Sequence, residues 1–356
     1  MNIPSHFKRQ IDEAVARYRA WKGGDETVAF TFVTDVHSCI GGLSDPPDYR
    51  DMKMHIPLML HTADLCAADF VADLGDQDFE TSSLSVANFE ARVKSTQTLY
   101  SSCTRRPILF CAGNHDYGWS LDGSPERPLP SEKFGTTFCR MSYRLGFKIV
   151  FGDNPSWGYY DIEGKKTRVF FLNSSDTGYY GFSKDQLEFF VRNVNDVADG
   201  WTILILHHFT PLSNYAGRRK RGKAPVENPK FPRLDAFAEL LFGLAAESAG
   251  GFSDVTWDFR GLKGRDVRFA GCVCGDVHED GMGELDGVHY IVSQGYGKYC
   301  WEFPQTLRDL RTMPYEFFDC TEQVLFEIAA LKPLTREFRM FRVGAGGAKH
   351  DRGWRY

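Results

Sequence analysis

The sequence lacks the features that mark membrane-spanning, nucleic-acid-binding and repeat proteins. Its apolar runs all fall short of the roughly 18 residues that would suggest a membrane span. The net charge of −5 at pH 7 argues against nucleic acid as a partner, because nucleic-acid-binding domains usually carry an excess of basic residues. Neither an internal repeat nor a low-complexity tract is present. These absences leave a globular protein with no membrane association.

The chain also shows little sign of secretion or of a disulfide framework. Its nine cysteines are irregularly spaced and include no C-x-x-C pair, which favours reduced thiols over disulfides or a cysteine zinc site. The N-terminal segment MNIPSHFKRQIDEAVARYRAWKGG lacks the uninterrupted apolar stretch of a secretory signal. We therefore predict a cytoplasmic protein.

Three regions are predicted along the 356 residues. Residues 1–24 are predicted to form a helix packed on the core, because Ile11, Val15 and Tyr18 follow helical spacing. Residues 25–300 are predicted to form the main domain. Residues 301–356 are predicted to be a C-terminal extension that adds strands and a tail.

Strand candidates alternate with helix candidates in the first half of the chain, a pattern typical of a largely parallel sheet with helices on its faces. The later strands return with fewer intervening helices, which indicates a second, mixed sheet. The predicted strands are residues 27–34, 70–74, 107–112, 167–172, 201–206, 267–273 and 288–293. The predicted helices are residues 51–66, 84–102, 183–197 and 234–246. The fold class is therefore predicted to be α/β.

Short polar motifs follow five of these strands. They are Asp35-Val36-His37, Gly75-Asp76, Gly113-Asn114-His115-Asp116, His207-His208 and Gly275-Asp276-Val277-His278. Ligands of such sheets gather outside the carboxyl ends of the strands, and carboxylates, amide oxygens and imidazoles are the donors that hard and borderline divalent metals prefer. Each motif alone is a common turn sequence. The whole series predicts a metal-dependent phosphoesterase.

The series resembles the calcineurin-like metallophosphoesterase family over roughly residues 28–295. The resemblance implies two packed mixed β-sheets flanked by helices, a four-layer α/β/β/α sandwich, and two divalent metal ions. It assigns the first ion to Asp35, His37, Asp76 and His278. It assigns the second ion to Asp76, Asn114, His207 and the residue at position 276. It makes His115 the unligated catalytic residue that binds the substrate phosphate together with Asn114.

The histidine ligand of the second ion could be either of two neighbours. His207 and His208 are adjacent and point to opposite faces of an extended strand, so only one of them is expected to be a ligand. We predict His207, because the family usually places its ligand first in such pairs, and we give His208 a packing or supporting role.

The family's last motif usually reads G-H-x-H, whereas Asp276 stands here in place of a metal-binding imidazole. We predict that Asp276 coordinates through a carboxylate oxygen. The alternative is that it only accepts a hydrogen bond and leaves a weak second site. Oxygen donors favour Mn²⁺, with Fe, Zn or Mg as the other candidates.

The predicted reaction is hydrolysis of a phosphoric ester, either a monoester or a diester, on a phosphorylated small-molecule substrate. The two metals would activate a water, and His115 would protonate the departing oxygen. The alternative is a phosphoesterase-like binding or scaffolding module without turnover. A nuclease is a third possibility, which the acidic charge balance disfavours.

Three further features leave alternatives open. The basic cluster at residues 218–223 is either a solvated loop or a lip that attracts phosphorylated substrates. Asp116 either orients the imidazole of His115 or shapes its turn. A set of aromatic residues either belongs to the core or walls a substrate pocket. This set is Tyr117, Trp119, Trp157, Tyr159 and Tyr160.

Overall fold

The computed structural model describes most of the chain in nine segments. These are residue 3 and residues 5–36, 55–77, 94–101, 105–117, 129–212, 230–278, 280–293 and 325–356. Several predicted features lie outside these segments: His37, Trp119, the basic cluster at 218–223 and the proposed domain boundary after residue 300. The predictions made for them stay predictions.

The described residues include fifteen strands and six α-helices with defined bounds. The strands are β1 (Val28–Val33), β2 (Phe70–Asp73), β3 (Ile108–Phe110), β4 (Ile149–Phe151), β5 (Gly158–Ile162), β6 (Thr167–Phe171), β7 (Thr202–Leu206), β8 (Ala249–Phe252), β9 (Val255–Asp258), β10 (Arg268–Cys274), β11 (Gly281–Leu285), β12 (Val288–Val292), β13 (Leu325–Lys332), β14 (Glu337–Gly344) and β15 (Arg352–Arg355). The helices are α1 (Ser5–Lys22), α2 (His55–Cys66), α3 (Ser131–Phe134), α4 (Arg140–Arg144), α5 (Lys184–Asn195) and α6 (Leu234–Ala245). A π-helical turn, Gly135–Cys139, joins α3 to α4, and residues 94–101 are also helical.

Two mixed sheets contain most of these strands. The first has the order β15-β14-β13-β1-β2-β3, and the second has the order β11-β12-β10-β7-β6-β5-β4. Strands β1, β2 and β3 run parallel, whereas β13 pairs antiparallel with β1, so that Val28 lies opposite Leu331. The last three strands of the chain therefore belong to the first sheet, and β13 lies directly beside β1.

Alternating side chains show how the layers pack. Along β6 with the adjoining Leu172, and along β7, neighbouring residues belong to different apolar clusters, as the two-residue period of a strand requires. One set lies in the cluster shared with the first sheet, α1 and α2: Val169, Phe171, Leu204 and Leu206. The other set lies in the cluster shared with α5 and α6: Phe170, Leu172, Ile203 and Ile205. Helices thus flank two packed mixed sheets, and the predicted four-layer α/β/β/α fold is confirmed.

The N-terminal helix α1 packs on β13 and β14 and buries Phe7, Ile11, Val15 and Tyr18. These residues recur at the spacing of one helical face, which is the reason that the segment folds as a helix against the sheet. Among the described residues, no helix combines the length and the apolar character that a membrane crossing requires.

The two sheets meet at the carboxyl ends of their parallel strands. Within the first sheet, the Asp35 amide donates to the Gly75 carbonyl at 2.8 Å. Within the second, the Gly275 amide donates to the His208 carbonyl at 2.9 Å. Between the sheets, the imidazole of His208 hydrogen-bonds to the Leu74 carbonyl. The polar motifs that follow these strands therefore lie at one shared edge.

Candidate metal centre

Asp35, Asp76 and His208 form the centre of this edge. They follow β1, β2 and β7, and each offers one ligand atom within 4.8 Å of those of the other two. All three side chains are buried. Two carboxylates and an imidazole at this separation match the donor set of a divalent cation. Their position at strand ends explains why residues far apart in sequence converge.

His208 makes the densest set of contacts in the cluster. Its Nε2 lies 3.3 Å from Asp76 Oδ2, 3.2 Å from Asn114 Oδ1 and 3.4 Å from Asp276 Oδ1. Its Nδ1 lies 2.8 Å from the Leu74 carbonyl oxygen. A carbonyl only accepts, so Nδ1 carries the proton of this bond. Once a cation displaces the proton from Nε2, the lone pair of that nitrogen points at the cluster, as in a metal-binding imidazole.

His207, the ligand chosen from the sequence, points away from the cluster, whereas His208 belongs to it. Its Nδ1 donates to the Phe209 carbonyl at 2.9 Å, and its Nε2 lies 3.3 Å from Cys274 Sγ. The ring packs edge-on against Phe237. Burial lowers the pKa of His207 to about 4, so the imidazole is neutral in the core. The extended backbone turns adjacent side chains in opposite directions, and it turns His208 towards the candidate ligands.

Asp35 connects the two sheets through its carboxylate. Its Oδ2 accepts the Thr34 hydroxyl at 2.6 Å and the Asp276 amide at 2.9 Å. Its Oδ1 lies 3.5 Å from His278 Nε2. The loop after β10 is thereby fixed against the end of β1. Asp276 and His278 both border the cluster as a result.

The turn after β3 places Asn114 and His115 beside Asp76. The His115 amide donates to Asp76 Oδ1 at 2.9 Å, while the His115 ring lies at the rim with its Nε2 4.0 Å from Asp76 Oδ2. Asp116 accepts the amides of Gly113, Asp76 and Gln77 at 2.8, 3.0 and 2.8 Å. Asp116 therefore shapes the turn, which is one of the two roles considered for it.

Among the described residues, carboxylates outnumber imidazoles in this cluster. Three carboxylates, those of Asp35, Asp76 and Asp276, surround His208 and His278. Burial raises the pKa of Asp35. Although burial lowers the pKa of His208, the charges of Asp76 and Asp35 outweigh that effect and raise this pKa well above its ordinary value. The carboxylates thus draw a positive charge into the site, and a divalent cation would replace the proton on the imidazole.

The backbone of this site carries a signature that the motifs did not reveal. Asp35, Asp76, Asp276 and His278 all adopt left-handed conformations, with φ of 53°, 55°, 74° and 53°. Side chains other than glycine rarely adopt this region, although Asp, Asn and His do so more readily. Such strain collects at functional sites, where surrounding structure holds the residues in place. The motif glycine Gly113 has a related role, because a Cβ there would collide with the Asp76 carboxylate and amide.

Two tyrosines also border the site and were missed in the sequence. Tyr180 donates its hydroxyl to Asp276 Oδ1 at 2.7 Å, and the Tyr179 hydroxyl lies 3.5 Å from His115 Nε2. Burial raises the pKa of Tyr179 to about 12, so its hydroxyl is a hydrogen-bond donor near neutral pH. Both follow β6 in a loop whose sequence has no strand-end metal motif. No local signal could have identified them.

The aromatic set considered for a pocket wall belongs mainly to the core. Tyr117, Trp157 and Tyr159 are buried, and Tyr160 is partly buried against the core between the sheets. The cysteines Cys272 and Cys274 are likewise buried and free. Their position in β10 agrees with packing as small residues.

Comparison with known proteins provides evidence on the family and the fold of this chain. The model of the calcineurin-like phosphoesterases matches residues 28–235, more than half of the chain. A dimetal phosphatase from Danio rerio has a similar structure, with 13% identity and a TM-score of 0.52 over 92% of this chain and 99% of that one. A purple acid phosphatase from yellow lupin (Lupinus luteus) seeds has 12% identity and a TM-score of 0.47, over 94% of this chain and 54% of that one. No curated protein gives a significant sequence match. At 13% identity, the likeness to the Danio rerio structure shows the fold alone.

Proposed function

Because this chain belongs to the calcineurin-like phosphoesterase family, we propose that it hydrolyses a phosphoric ester at a dinuclear metal centre. One observation carries the proposal: the ligand atoms of Asp35, Asp76 and His208 lie within 4.8 Å of one another in a buried cluster. Two buried carboxylates and an imidazole that converge from three strand ends supply the oxygen and nitrogen donors that a divalent cation prefers.

The proposed ligands divide between two cations. Asp35, Asp76 and His278 would hold the first, together with His37, which lies outside the described residues. Asp76, Asn114, His208 and Asp276 would hold the second, with His208 replacing His207 of the sequence-based assignment. The second set contains three oxygen donors and one nitrogen, which favours Mn²⁺.

The cations would act as Lewis acids that activate water and offset the charge of the phosphoryl group. The chain's own contribution to the chemistry centres on His115. Its backbone amide is bound to the Asp76 carboxylate and its ring stands at the rim of the cluster, only partly buried. In that position the imidazole can contact a substrate phosphate and donate a proton to the departing oxygen, a role typically worth roughly 10²–10⁴ in rate.

A direct test uses chromogenic substrates and defined metal. We expect Mn²⁺ to restore hydrolysis of p-nitrophenyl phosphate or bis(p-nitrophenyl) phosphate in metal-depleted protein, and the ratio of the two rates separates a monoesterase from a diesterase. His115→Ala should lower the rate by about 10²-fold or more and leave Mn²⁺ binding intact. His61→Ala, a change in α2 outside the site, serves as the matched control.

The result also decides between the enzyme and its alternative. Mn²⁺ binding without turnover of either substrate would favour a phosphoesterase-like binding or scaffolding module. Failure of the wild-type protein to bind Mn²⁺, Fe, Zn or Mg would overturn the proposed metal centre. The phosphorylated small-molecule substrate and the cytoplasmic location both remain predictions.

A further inference from the structure

Tyr180 supports the one unusual residue of the proposed ligand set. It lies between β6 and α5, and its hydroxyl donates to Asp276 Oδ1 at 2.7 Å. We propose that Tyr180 is a positioning residue that orients the Asp276 carboxylate as a ligand of the second cation. This inference rests on the proposed function, because it assumes a cation at that site.

The Tyr180 hydroxyl binds the same Asp276 oxygen that faces His208. The same Asp276 Oδ1 lies 3.4 Å from His208 Nε2, the nitrogen that faces the candidate ligands. A carboxylate oxygen has two lone pairs, so it can accept the tyrosine hydroxyl and still face a cation. Without that donor, the short Asp276 side chain would be free to rotate away, since it stands partly exposed at the edge of the cluster.

The Tyr180 ring is itself held by the chain segment that carries His208. It stacks on Phe209, with ring centroids 4.2 Å apart and planes inclined by 26°. Phe209 directly follows His208 in sequence. The tyrosine is therefore fixed relative to the imidazole, and through the hydroxyl it fixes the carboxylate relative to the same imidazole.

The loop beneath Tyr180 is also tied down. The Phe209 amide donates to Ser174 Oγ at 2.9 Å, and the Gly181 amide donates to the Ser174 carbonyl at 2.7 Å. The Asp176 amide in turn donates to the Gly181 carbonyl at 3.1 Å. A ligand support that is ordered in advance costs little entropy when the cation binds. The ordered loop therefore suits a residue that holds a metal ligand in place without binding the metal itself.

The chemistry of position 276 explains why such a partner is useful. The imidazole that usually stands there is neutral and carries its own rigid ring, whereas Asp276 brings a negative charge on a short side chain. A hydroxyl that donates to a carboxylate makes a strong, charge-assisted bond and draws off part of that charge. Outer partners of this kind orient ligands and adjust their donor strength. Tyr180 thus supplies the rigidity that the imidazole would have had.

The test is cation binding, measured apart from activity. Mn²⁺ titration of metal-depleted protein by calorimetry, with bound Mn²⁺ counted by electron paramagnetic resonance, should show two sites in the wild type. Tyr180→Phe should weaken the second site by about 10-fold, within the range known for outer partners, and leave the first unchanged. Tyr160→Phe removes the hydroxyl of a partly buried tyrosine in β5 and should change neither site.

The dependence on Asp276 is tested by a double-mutant cycle. In an Asp276→His background, Tyr180→Phe should have no further effect on Mn²⁺ affinity, because the carboxylate through which it acts is gone. Unchanged affinity of Tyr180→Phe alone, or an equal loss in both backgrounds, would overturn the inference and leave the proposed function standing. A wild-type protein that binds no cation would overturn both. Thermal unfolding of each metal-free variant reports whether the fold is retained.

Discussion

Replacing His207 and His208 separately by alanine tests which of the two neighbours serves the site. The two changes remove the same side chain from adjacent positions, so they are matched in size and chemistry. The structure assigns them different environments. His208 Nε2 is surrounded by three oxygen atoms of Asp76, Asn114 and Asp276, whereas His207 faces Cys274 and the Phe209 carbonyl.

The expected magnitudes follow from these surroundings. Loss of a partner that merely orients a metal ligand costs about 10–100-fold in affinity, so loss of the ligand itself in His208→Ala should weaken Mn²⁺ binding by at least about 100-fold. His207→Ala should leave Mn²⁺ affinity unchanged. It deletes a buried ring and its hydrogen bond to Phe209, which should cost about 2–4 kcal/mol of unfolding free energy.

Two measurements on each variant complete the comparison. Mn²⁺ titration gives the affinity per folded molecule, and urea unfolding without cation gives the stability. If His207→Ala lost its cation while His208→Ala kept it, the reasoning from geometry would be refuted and the original choice of His207 restored. Comparable losses of affinity in both variants would also contradict the assignment.

Two more perturbations probe the frame of the site. Gly113→Ala adds a Cβ that collides with the Asp76 carboxylate and amide, and the resulting displacement should lower Mn²⁺-dependent turnover by about 10²-fold. The control Gly261→Ala adds a Cβ in open space and should leave this turnover unchanged. Burial raises the pKa of Asp73 to about 7, against about 3.9 in an unfolded chain, so the folded protein binds this proton more tightly. The metal-free protein should therefore lose stability as the pH rises from about 4 to 7, by on the order of 4 kcal/mol, and urea unfolding of Asp73→Asn should lack this contribution.

Much of the fold was accessible from the sequence because its signals are local. The strand predicted over residues 167–172 is observed as Thr167–Phe171, and the helix predicted over 183–197 as Lys184–Asn195. Apolar runs and helical spacing depend on neighbours only a few residues away, so they predict elements well and their ends to within a residue or two. The polar motifs at the ends of those runs resemble the family's motifs, and that resemblance implied the four-layer architecture.

The sequence could not show where individual side chains of the site lie relative to one another in three dimensions. Two adjacent histidines have the same local pattern, and only the path of the backbone after β7 decides that His208 faces Asp76. Tyr180 reaches Asp276 across 96 positions of sequence. The left-handed Asp35 is hydrogen-bonded to Gly75 and Asp276, which lie far from it in sequence.

The place of β13 has a consequence for the synthesis of the protein. During translation, β1 and Asp35 leave the ribosome long before β13 (Leu325–Lys332) is made, and β13 is the strand that pairs with one edge of β1. Until then that side presents unpaired amides and carbonyls, which invite pairing with other nascent chains. Closing so long a loop is also a slow step. A chain that terminates early consequently leaves one edge of β1 unpaired, and we expect such fragments to be protease-sensitive.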